Sequence, residues 1–260
     1  MKMGFIGGGN MASAMIGGII GKGILKKEEI IVADPLDHVS EKFGVKWTDD
    51  NKEAASAADV LVLSVKPQMY EAVISGIRDA VRPEAVVVTI APGRSLDWVK
   101  AQFGGELSIV RTMPNTPAMV GEGMTAICPN EHVSDEQLLT VRHLLEAFSL
   151  VEVVPEHLMN AVTSVSGSSP AYVFMLIEAM ADAAVADGMP RPKAYTFAAQ
   201  AVLGSAKMVL STGKHPAELK DMVCSPAGTT IEAVKILERE GFRSAVMQAM
   251  QACTEKSKQL

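Results

Sequence analysis

A glycine-rich segment near the N-terminus has the residue spacing of a phosphate-binding turn. Gly7, Gly9 and Ala12 form the pattern G-x-G-x-x-A between an apolar run typical of a strand and one typical of a helix. In such a turn the first glycine permits a tight bend, the second lets the backbone approach a pyrophosphate, and the small third residue lets helix and strand pack closely. Backbone N–H groups at the helix start can then bind the anion. The predicted dinucleotide contacts are Gly7, Gly8, Gly9, Asn10, Met11 and Ala12.

An acid at the end of the second predicted strand supports the same interpretation. Asp34 lies about 20 residues after the glycine-rich segment, where a carboxylate can bind the adenosine ribose hydroxyls. The alternative is a structural role, in which Asp34 caps a helix that begins after Pro35. No arginine stands among the residues that follow Asp34 to bind a 2′-phosphate. The sequence therefore predicts that NADH is used at least as well as NADPH.

Two further strand ends are expected at the cofactor, because ligands of open α/β sheets bind beyond the carboxyl ends of the strands. The residues at these ends are Ser64, Val65, Lys66 and Pro67 after one strand and Ile90, Ala91 and Pro92 after another. Lys66 is either an ordinary solvated lysine or a contact for the cofactor or a carboxylate. In a third strand-end loop, Asn115 either faces the nicotinamide or ties the loop together, and the second role is favoured.

A second polar segment, in the C-terminal half, precedes a predicted helix. Ser225, Thr229 and Thr230 place three hydroxyls beside the free backbone N–H groups of that helix start. A capping role explains one hydroxyl but not three. Because the chain has a net charge of -6, a carboxylate ligand needs positive potential of local origin, which a helix start supplies. The segment predicts a receptor for a small carboxylate.

The elements that must position these residues divide the chain in two. Up to residue 154, short β-branched runs alternate with helical patterns, which is typical of βαβ units around a parallel sheet. The predicted strands are 2–6, 30–33, 60–65, 85–90, 107–112 and 151–154, with 124–127 as a weaker one. The helices predicted beyond them are 156–165, 170–187, 191–211, 227–239 and 242–258. We expect an α/β Rossmann-type domain over 1–154 and an all-α domain over 155–260.

Composition restricts the class of protein. The 260 residues are 48% hydrophobic and 21% charged, which indicates a globular chain. No uninterrupted apolar run approaches the ~20 residues of a membrane span, and the N-terminus lacks the features of a secretory signal, so we expect a soluble, cytoplasmic protein without a membrane partner. The absence of a Lys/Arg cluster argues against nucleic-acid binding. Three widely spaced cysteines suit neither a disulfide framework nor a metal site.

The predicted C-terminal helices are apolar around much of their circumference, for example at Phe174, Ile177 and Met180. A chain of this size cannot easily cover such helices alone. We therefore expect a homodimer. The 16 methionines are interpreted as adaptable packing residues rather than as a cofactor motif.

In their order along the chain, these motifs resemble those of pyrroline-5-carboxylate reductases over essentially the full length. The matching segments are 7–12, 65–67, 113–117, 166–172 and 225–230, of which the last, with 220–224, is the most specific. The resemblance implies NAD(P)H-dependent reduction of 1-pyrroline-5-carboxylate to L-proline. It also implies a Rossmann domain followed by a helical dimerisation domain, and often a decamer built from dimers.

The same resemblance assigns roles residue by residue. Asn51 joins Asp34 and the strand-end residues named above in holding the dinucleotide. Thr229 and Thr230 fall at the contacts to the substrate carboxylate and ring nitrogen, Thr230 being the catalytic candidate. The other substrate-binding candidates are Ser225, Gly228 and Glu156. Two departures from the family pattern, Ala227 and Ser169, each add a Cβ where glycine is usual, and we expect activity to be retained.

The expected chemistry demands little of the protein beyond positioning. The cofactor supplies the hydride, and a cyclic imine can bind already protonated, so a hydroxyl need only orient the nitrogen. One alternative is a 3-hydroxyacid or prephenate-type dehydrogenase, in which Lys220 would move the alcohol proton. The other is a non-catalytic dinucleotide sensor, against which the intact 225–230 segment argues.

Overall fold

One eight-stranded sheet forms the centre of the N-terminal part of the chain in the computed structural model, which describes residues 1–259. Its strands lie in the order β3-β2-β1-β4-β5-β6-β7-β8. They are β1 (Met3–Ile6), β2 (Ile30–Ala33), β3 (Lys46–Thr48), β4 (Val60–Leu63), β5 (Val86–Thr89), β6 (Ser108–Met113), β7 (Gly123–Pro129) and β8 (Ser149–Val153). The strand order changes direction between β1 and β4, and a crevice for a ligand is expected at such a switch point.

The sheet contains every predicted strand and differs from the prediction in two respects. The strand β3 was not predicted, because its three residues lie at the sheet edge with Lys46 and Trp47 exposed and so form no apolar run. The strand β7 runs antiparallel to β6, although an all-parallel sheet was expected. β6 ends at Met113 and β7 begins at Gly123, and this connection is shorter than the dozen or so residues that a parallel crossover requires.

Helices cover both faces of the sheet. They are α1 (Asn10–Gly21), α2 (His38–Phe43), α3 (Asn51–Ala57), α4 (Tyr70–Ile77), α5 (Leu96–Phe103) and α6 (Asp135–Leu145). One apolar cluster contains Phe5, Ile16 and Phe148, and a second contains Leu63 and Ile74. Central strands such as β4 are buried at every position, as expected for parallel strands packed on both faces.

The C-terminal part of the chain is helical, as predicted. Its helices are α7 (Met159–Val162), α8 (Ser169–Ala186), α9 (Arg191–Thr212), α10 (Pro216–Val223), α11 (Thr229–Arg239) and α12 (Phe242–Ser257). α10 was not predicted. The predicted helices 156–165 and 170–187 are continuous, because Thr163–Gly167 is a stretch of π-helix within one helix that spans Glu156–Ala186. Ser169 therefore begins α8 with a negative φ and causes no backbone strain.

By packing, the chain divides at a later position than the predicted 154/155 boundary. One compact unit is Met1–Ser168 with the residues from Cys253 onward, and the other is Ser169–Ala252. Residues 156–168 belong to the first unit because Met159 is buried in the sheet's apolar cluster. Thr254 and Ser257 on α12 also donate hydrogen bonds to Ser164 and Asn160.

The unit Ser169–Ala252 leaves most of its large apolar side chains exposed. Phe174, Phe197 and Leu210 are 63%, 66% and 80% exposed. Contrary to expectation, the helix Glu156–Ala186 is long and apolar enough to cross a membrane by length and composition, and 11% of its most apolar stretch is buried. The core helix of a soluble protein also has this length and composition.

Candidate cofactor and substrate sites

The glycine-rich turn has the geometry that its sequence predicts. Gly7 has φ +97°, and a Cβ there would lie 2.7 Å from the carbonyl oxygen of Ser64. A Cβ on Gly9 would meet no atom within 4 Å, so its backbone faces open space. Ala12 is fully buried against the sheet. Because α1 has neither a side-chain cap nor an acid in its first turn, its N–H groups are available to an anion.

Asp34 connects the glycine-rich turn to the segment after β2. Its Oδ2 accepts a hydrogen bond from the backbone N–H of Gly8 at 2.7 Å, and its Oδ1 accepts one from Leu36 N–H at 2.9 Å. α2 begins only at His38, with Asp37 at its N-cap. Asp34 therefore does not cap that helix, and its structural role is to accept the backbone N–H groups of Gly8 and Leu36. A carboxylate has about four acceptor positions, so two remain for a ligand.

A cleft of about 570 Å³ opens beyond the carboxyl ends of the central strands. Among its lining residues are seven predicted cofactor contacts: Gly7, Gly9, Asp34, Asn51, Ser64, Val65 and Lys66. Gly8, Asn10, Met11, Ala12 and Pro67 adjoin these in the chain without lining the cleft. Asp49, Leu36 and Met69 line it and were not predicted. Asp49 follows the unpredicted strand β3, which is why the sequence did not indicate it.

Tyr70 joins the two strand ends that were expected at the cofactor. Its hydroxyl donates to the carbonyl of Leu63, the last residue of β4, at 2.6 Å. The same oxygen accepts the backbone N–H groups of Ile90 and Ala91, each at 3.2 Å, and burial raises the pKa of the phenol. The predicted contacts Ile90, Ala91 and Pro92 thus lie after the strand next to β4 but do not line the cleft. The sequence pattern gave no signal for Tyr70.

Glu156 is bonded to the interior of the first unit. Its Oε1 accepts from Nη1 of Arg111 at 2.7 Å and from the backbone N–H of Leu96 at 2.7 Å. The Arg111 side chain is only 7% exposed, and through these two bonds Glu156 links β6 to the start of α5. Nothing near Glu156 in the sequence indicates this buried partner, because Arg111 lies 45 positions earlier in the chain. Its proximity to a substrate stays a prediction.

Asn115 holds its loop together, the role that the sequence favoured. Its amide nitrogen donates to the carbonyl of Ser166 at 3.0 Å, and its amide oxygen accepts from Met124 N–H at 2.9 Å. Both the nitrogen and the oxygen of the Asn115 side chain are therefore hydrogen-bonded within the first unit.

The predicted carboxylate receptor is a tight turn at the start of α11. The N–H of Gly228 donates to the carbonyl of Ser225 at 3.0 Å, and Ala227 has φ +57°, as the third residue of a type II turn requires. Among the described residues it is the one non-glycine with positive φ. α11 begins at Thr229 with no side-chain cap, and the Thr230 side chain is half-buried. The N–H groups at the start of α11 are therefore free of a side-chain cap, and the role of the three hydroxyls in binding a carboxylate stays a prediction.

Lys220 is poorly suited to act as a base. It forms an exposed ion pair with Asp221 at 2.7 Å. The hydrogen bond that Lys220 donates to the Asp221 carboxylate raises the pKa of Lys220 above its ordinary value, which favours the charged form that cannot accept a proton. Within residues 1–259, no group of three or more His, Cys, Asp or Glu side chains is placed to hold a metal ion.

Comparison with known proteins assigns the chain to a family. Residues 156–260 match the sequence model described as pyrroline-5-carboxylate reductase dimerisation, and residues 2–93 match that described as NADP oxidoreductase coenzyme F420-dependent. The pyrroline-5-carboxylate reductase of Escherichia coli K12 is 50% identical over 263 residues, covering 100% of this chain and 98% of the relative. The chain belongs to the pyrroline-5-carboxylate reductase family. The pyrroline-5-carboxylate reductase of Arabidopsis thaliana is 38% identical over the whole chain and covers 95% of the relative.

Solved structures of the same family share the fold. The pyrroline carboxylate reductase of Plasmodium falciparum, with NADP bound, superposes with a TM-score of 0.92 at 32% identity, covering 99% of this chain and 97% of that one. The predicted fold, a Rossmann-type domain followed by a helical dimerisation domain, is confirmed. A prephenate dehydrogenase from A. aeolicus covers 94% of this chain at 14% identity with a TM-score of 0.55, and this likeness shows only the fold.

Proposed function

We propose that this chain reduces 1-pyrroline-5-carboxylate to L-proline with a hydride from NAD(P)H. The observation that carries the proposal is the 50% identity to the Escherichia coli reductase over the full length of the chain. The test is to follow the oxidation of NADH and of NADPH by the purified chain with pyrroline-5-carboxylate as substrate. Oxidation that depends on this imine supports the proposal, and its absence with both cofactors contradicts it.

The cleft of the first unit fits a nicotinamide dinucleotide. Its volume of about 570 Å³ lies in the usual range for cofactor pockets. The open backbone at Gly9 and the uncapped start of α1 suit the pyrophosphate, and Asp34 and Asn51 suit the adenosine ribose. When bound, the cofactor supplies the hydride, and the residues of this chain bind and orient it.

The turn 225–230 suits the substrate. The free N–H groups at the start of α11 and the hydroxyl of Thr229 suit the carboxylate, and the hydroxyl of Thr230 suits the ring nitrogen. Ser225 and Gly228 shape the turn through their mutual hydrogen bond. Glu156, already bonded to Arg111 and Leu96, is a substrate contact only if its remaining acceptor positions face the ring.

Cofactor choice is the finer part of the proposal. Asp34 lines the cleft at the end of β2 and no arginine does so, which favours NADH at least as much as NADPH. The relative from Plasmodium falciparum was solved with NADP, so this preference would distinguish the two proteins. The measurement is the ratio of kcat/KM for NADH to that for NADPH. A strong preference for NADPH would contradict the proposed use of NADH.

We further propose a homodimer in which the unit Ser169–Ala252 forms the interface, with a decamer built from such dimers as the larger assembly. The exposed apolar side chains of α8 and α9 support this, as does the match of residues 156–260 to a dimerisation family. A second copy, rather than lipid, would cover the apolar helix Glu156–Ala186. The three cysteines are free, as suits a reducing, cytoplasmic location.

The dehydrogenase alternative is less well supported. It requires a base for the alcohol proton, and Lys220 is held in its charged form by Asp221. A non-catalytic sensor would not require the turn 225–230, in which the chain has three hydroxyl residues at an uncapped helix start. The strand pattern predicts a domain boundary at 154/155, and we keep that boundary as part of the proposal.

A further inference from the structure

The cleft carries a second carboxylate beside Asp34. Asp34 follows β2 and Asp49 follows β3, and both line the cleft. The two strands are parallel neighbours in which Ala33 is paired with Thr48. The backbone N–H of Asp34 donates to the carbonyl of Thr48 at 3.2 Å. The two acids therefore begin from adjacent positions at one edge of the sheet, where the adenosine ribose is expected.

The two carboxylates differ in how they are engaged. Both oxygens of Asp34 accept backbone N–H groups, from Gly8 and Leu36, so its position is tied to the glycine-rich turn. Asp49 is exposed, and across residues 1–259 its carboxylate forms no ion pair or hydrogen bond. Asp34 thus has a structural duty in addition to any contact with a ligand, whereas Asp49 has none.

Positive charge is scarce at this end of the cleft. Lys66 is the one basic side chain among the lining residues, and it follows β4, which two strands, β1 and β2, separate from β3. Lys46, on β3 itself, pairs with Glu53 at 2.6 Å. A phosphate on the ribose 2′-oxygen would therefore meet two carboxylates without a neighbouring cation.

We propose that Asp49 is a specificity-determining residue that disfavours cofactors carrying a 2′-phosphate. The inference rests on the proposed function, since it places the adenosine ribose at the ends of β2 and β3. Asp34 binds the ribose hydroxyls and holds the glycine-rich turn, while the charge of Asp49 repels a 2′-phosphate. Because its side chain is solvated, the repulsion acts through a high dielectric and is screened by salt. We expect removal of the Asp49 charge to raise the affinity for the 2′-phosphorylated cofactor, relative to the unphosphorylated one, by about three- to tenfold at low ionic strength.

The test is direct binding of ADP-ribose and of 2′-phospho-ADP-ribose to the full chain, measured by calorimetry at low and at high salt. The key variant is Asp49→Asn, which keeps the shape of the side chain and removes its charge. We expect the affinity for the 2′-phosphorylated ligand to rise about three- to tenfold, with little change for ADP-ribose and a smaller effect at high salt.

A matched control is available in the next residue. Asp50 is also exposed, but it does not line the cleft, and its side chain caps α3 by accepting from Lys52 N–H at 2.9 Å. Asp50→Asn removes the same charge and retains a capping side chain. We expect it to change the affinity ratio much less than Asp49→Asn. An equal change in both variants would reveal a general effect of net charge and overturn the proposal.

Other outcomes separate this inference from the proposed function. An unchanged ratio in Asp49→Asn, with a clear shift in Asp34→Asn, would overturn the role of Asp49 and leave the dinucleotide site in place. Failure to bind either ligand would overturn both. If the expected shift occurs in a chain that does not reduce pyrroline-5-carboxylate, the role of Asp49 is supported and only the substrate assignment fails.

Discussion

Thr230 is the single residue whose hydroxyl we expect to matter most for turnover. It lies in the first turn of α11 and its side chain is half-buried. Replacing Thr230 by Ala should lower kcat/KM for the imine by the equivalent of about 1.5 to 3 kcal/mol, the usual worth of a hydrogen bond to a charged group. The affinity for the dinucleotide should be nearly unchanged, because the cofactor cleft is formed by other residues.

The control for this prediction is Thr230→Ser, which keeps the hydroxyl and should retain most of the activity. Steady-state kinetics with the imine varied, and then with NAD(P)H varied, separate the two effects. Unchanged turnover in the alanine variant would place the substrate elsewhere.

At the scale of the elements, the Tyr70 hydroxyl joins the carboxyl ends of β4 and β5 by hydrogen bonds. Tyr70→Phe keeps the ring but leaves the Leu63 carbonyl and the Ile90 and Ala91 N–H groups without their partner. Loss of a buried hydrogen-bond partner costs about 1 to 3 kcal/mol, so the free energy of unfolding should fall by that amount. Urea unfolding at fixed protein concentration measures it. An unchanged free energy of unfolding would argue against this role for Tyr70.

The turn before α11 contains a strain that can be relieved. Ala227 has φ +57°, a conformation that costs a residue with a Cβ about 1 to 2 kcal/mol. Glycine removes this cost but loses more conformational entropy on folding, about 0.5 to 1 kcal/mol. Ala227→Gly should therefore stabilise the protein by about 0.5 to 1 kcal/mol in thermal or urea unfolding.

An exposed alanine on α11 gives a control of opposite sign. Ala233 lies within the helix, so Ala233→Gly should destabilise by up to about 1 kcal/mol. If Ala227→Gly destabilised to the same extent, the backbone conformation at 227 would not be strained.

For the whole molecule, the exposed apolar helices predict that the protein is a dimer whenever it is folded and active. A single copy of the unit Ser169–Ala252 buries few of its large side chains, and exposed apolar surface of this extent marks an interface. Analytical ultracentrifugation of the full chain should show no monomer at micromolar concentration. A stable, active monomer would contradict the prediction.

A substitution can locate this interface. Leu203 on α9 is 54% exposed, and Leu139 on α6 is 65% exposed. Leu203→Glu should weaken dimerisation, because it introduces a charge into the proposed apolar interface. Leu139→Glu, which makes the same chemical change in the first unit, should leave dimerisation intact.

The features that the sequence determined by itself depend on residues close together in the chain. The order of a Rossmann-type part and a helical part follows from local periodicity, and the turn at 7–12 follows from the conformations that Gly7 and Gly9 allow. The hydroxyl-rich turn at 225–230 is likewise one continuous segment. Even the unusual backbone at Ala227 was indicated, because alanine stands there in a pattern that usually requires glycine.

Only the tertiary structure decided which distant residues meet. β3 has too few buried residues to be seen in the sequence, and it forms because β2 offers an edge for pairing. That pairing brings Asp49 beside Asp34, just as strand packing brings Glu156 to Arg111. The engagement of Asp34 with Gly8 joins residues 26 positions apart. Such contacts depend on how the strands are ordered, and local residue preferences do not specify that order.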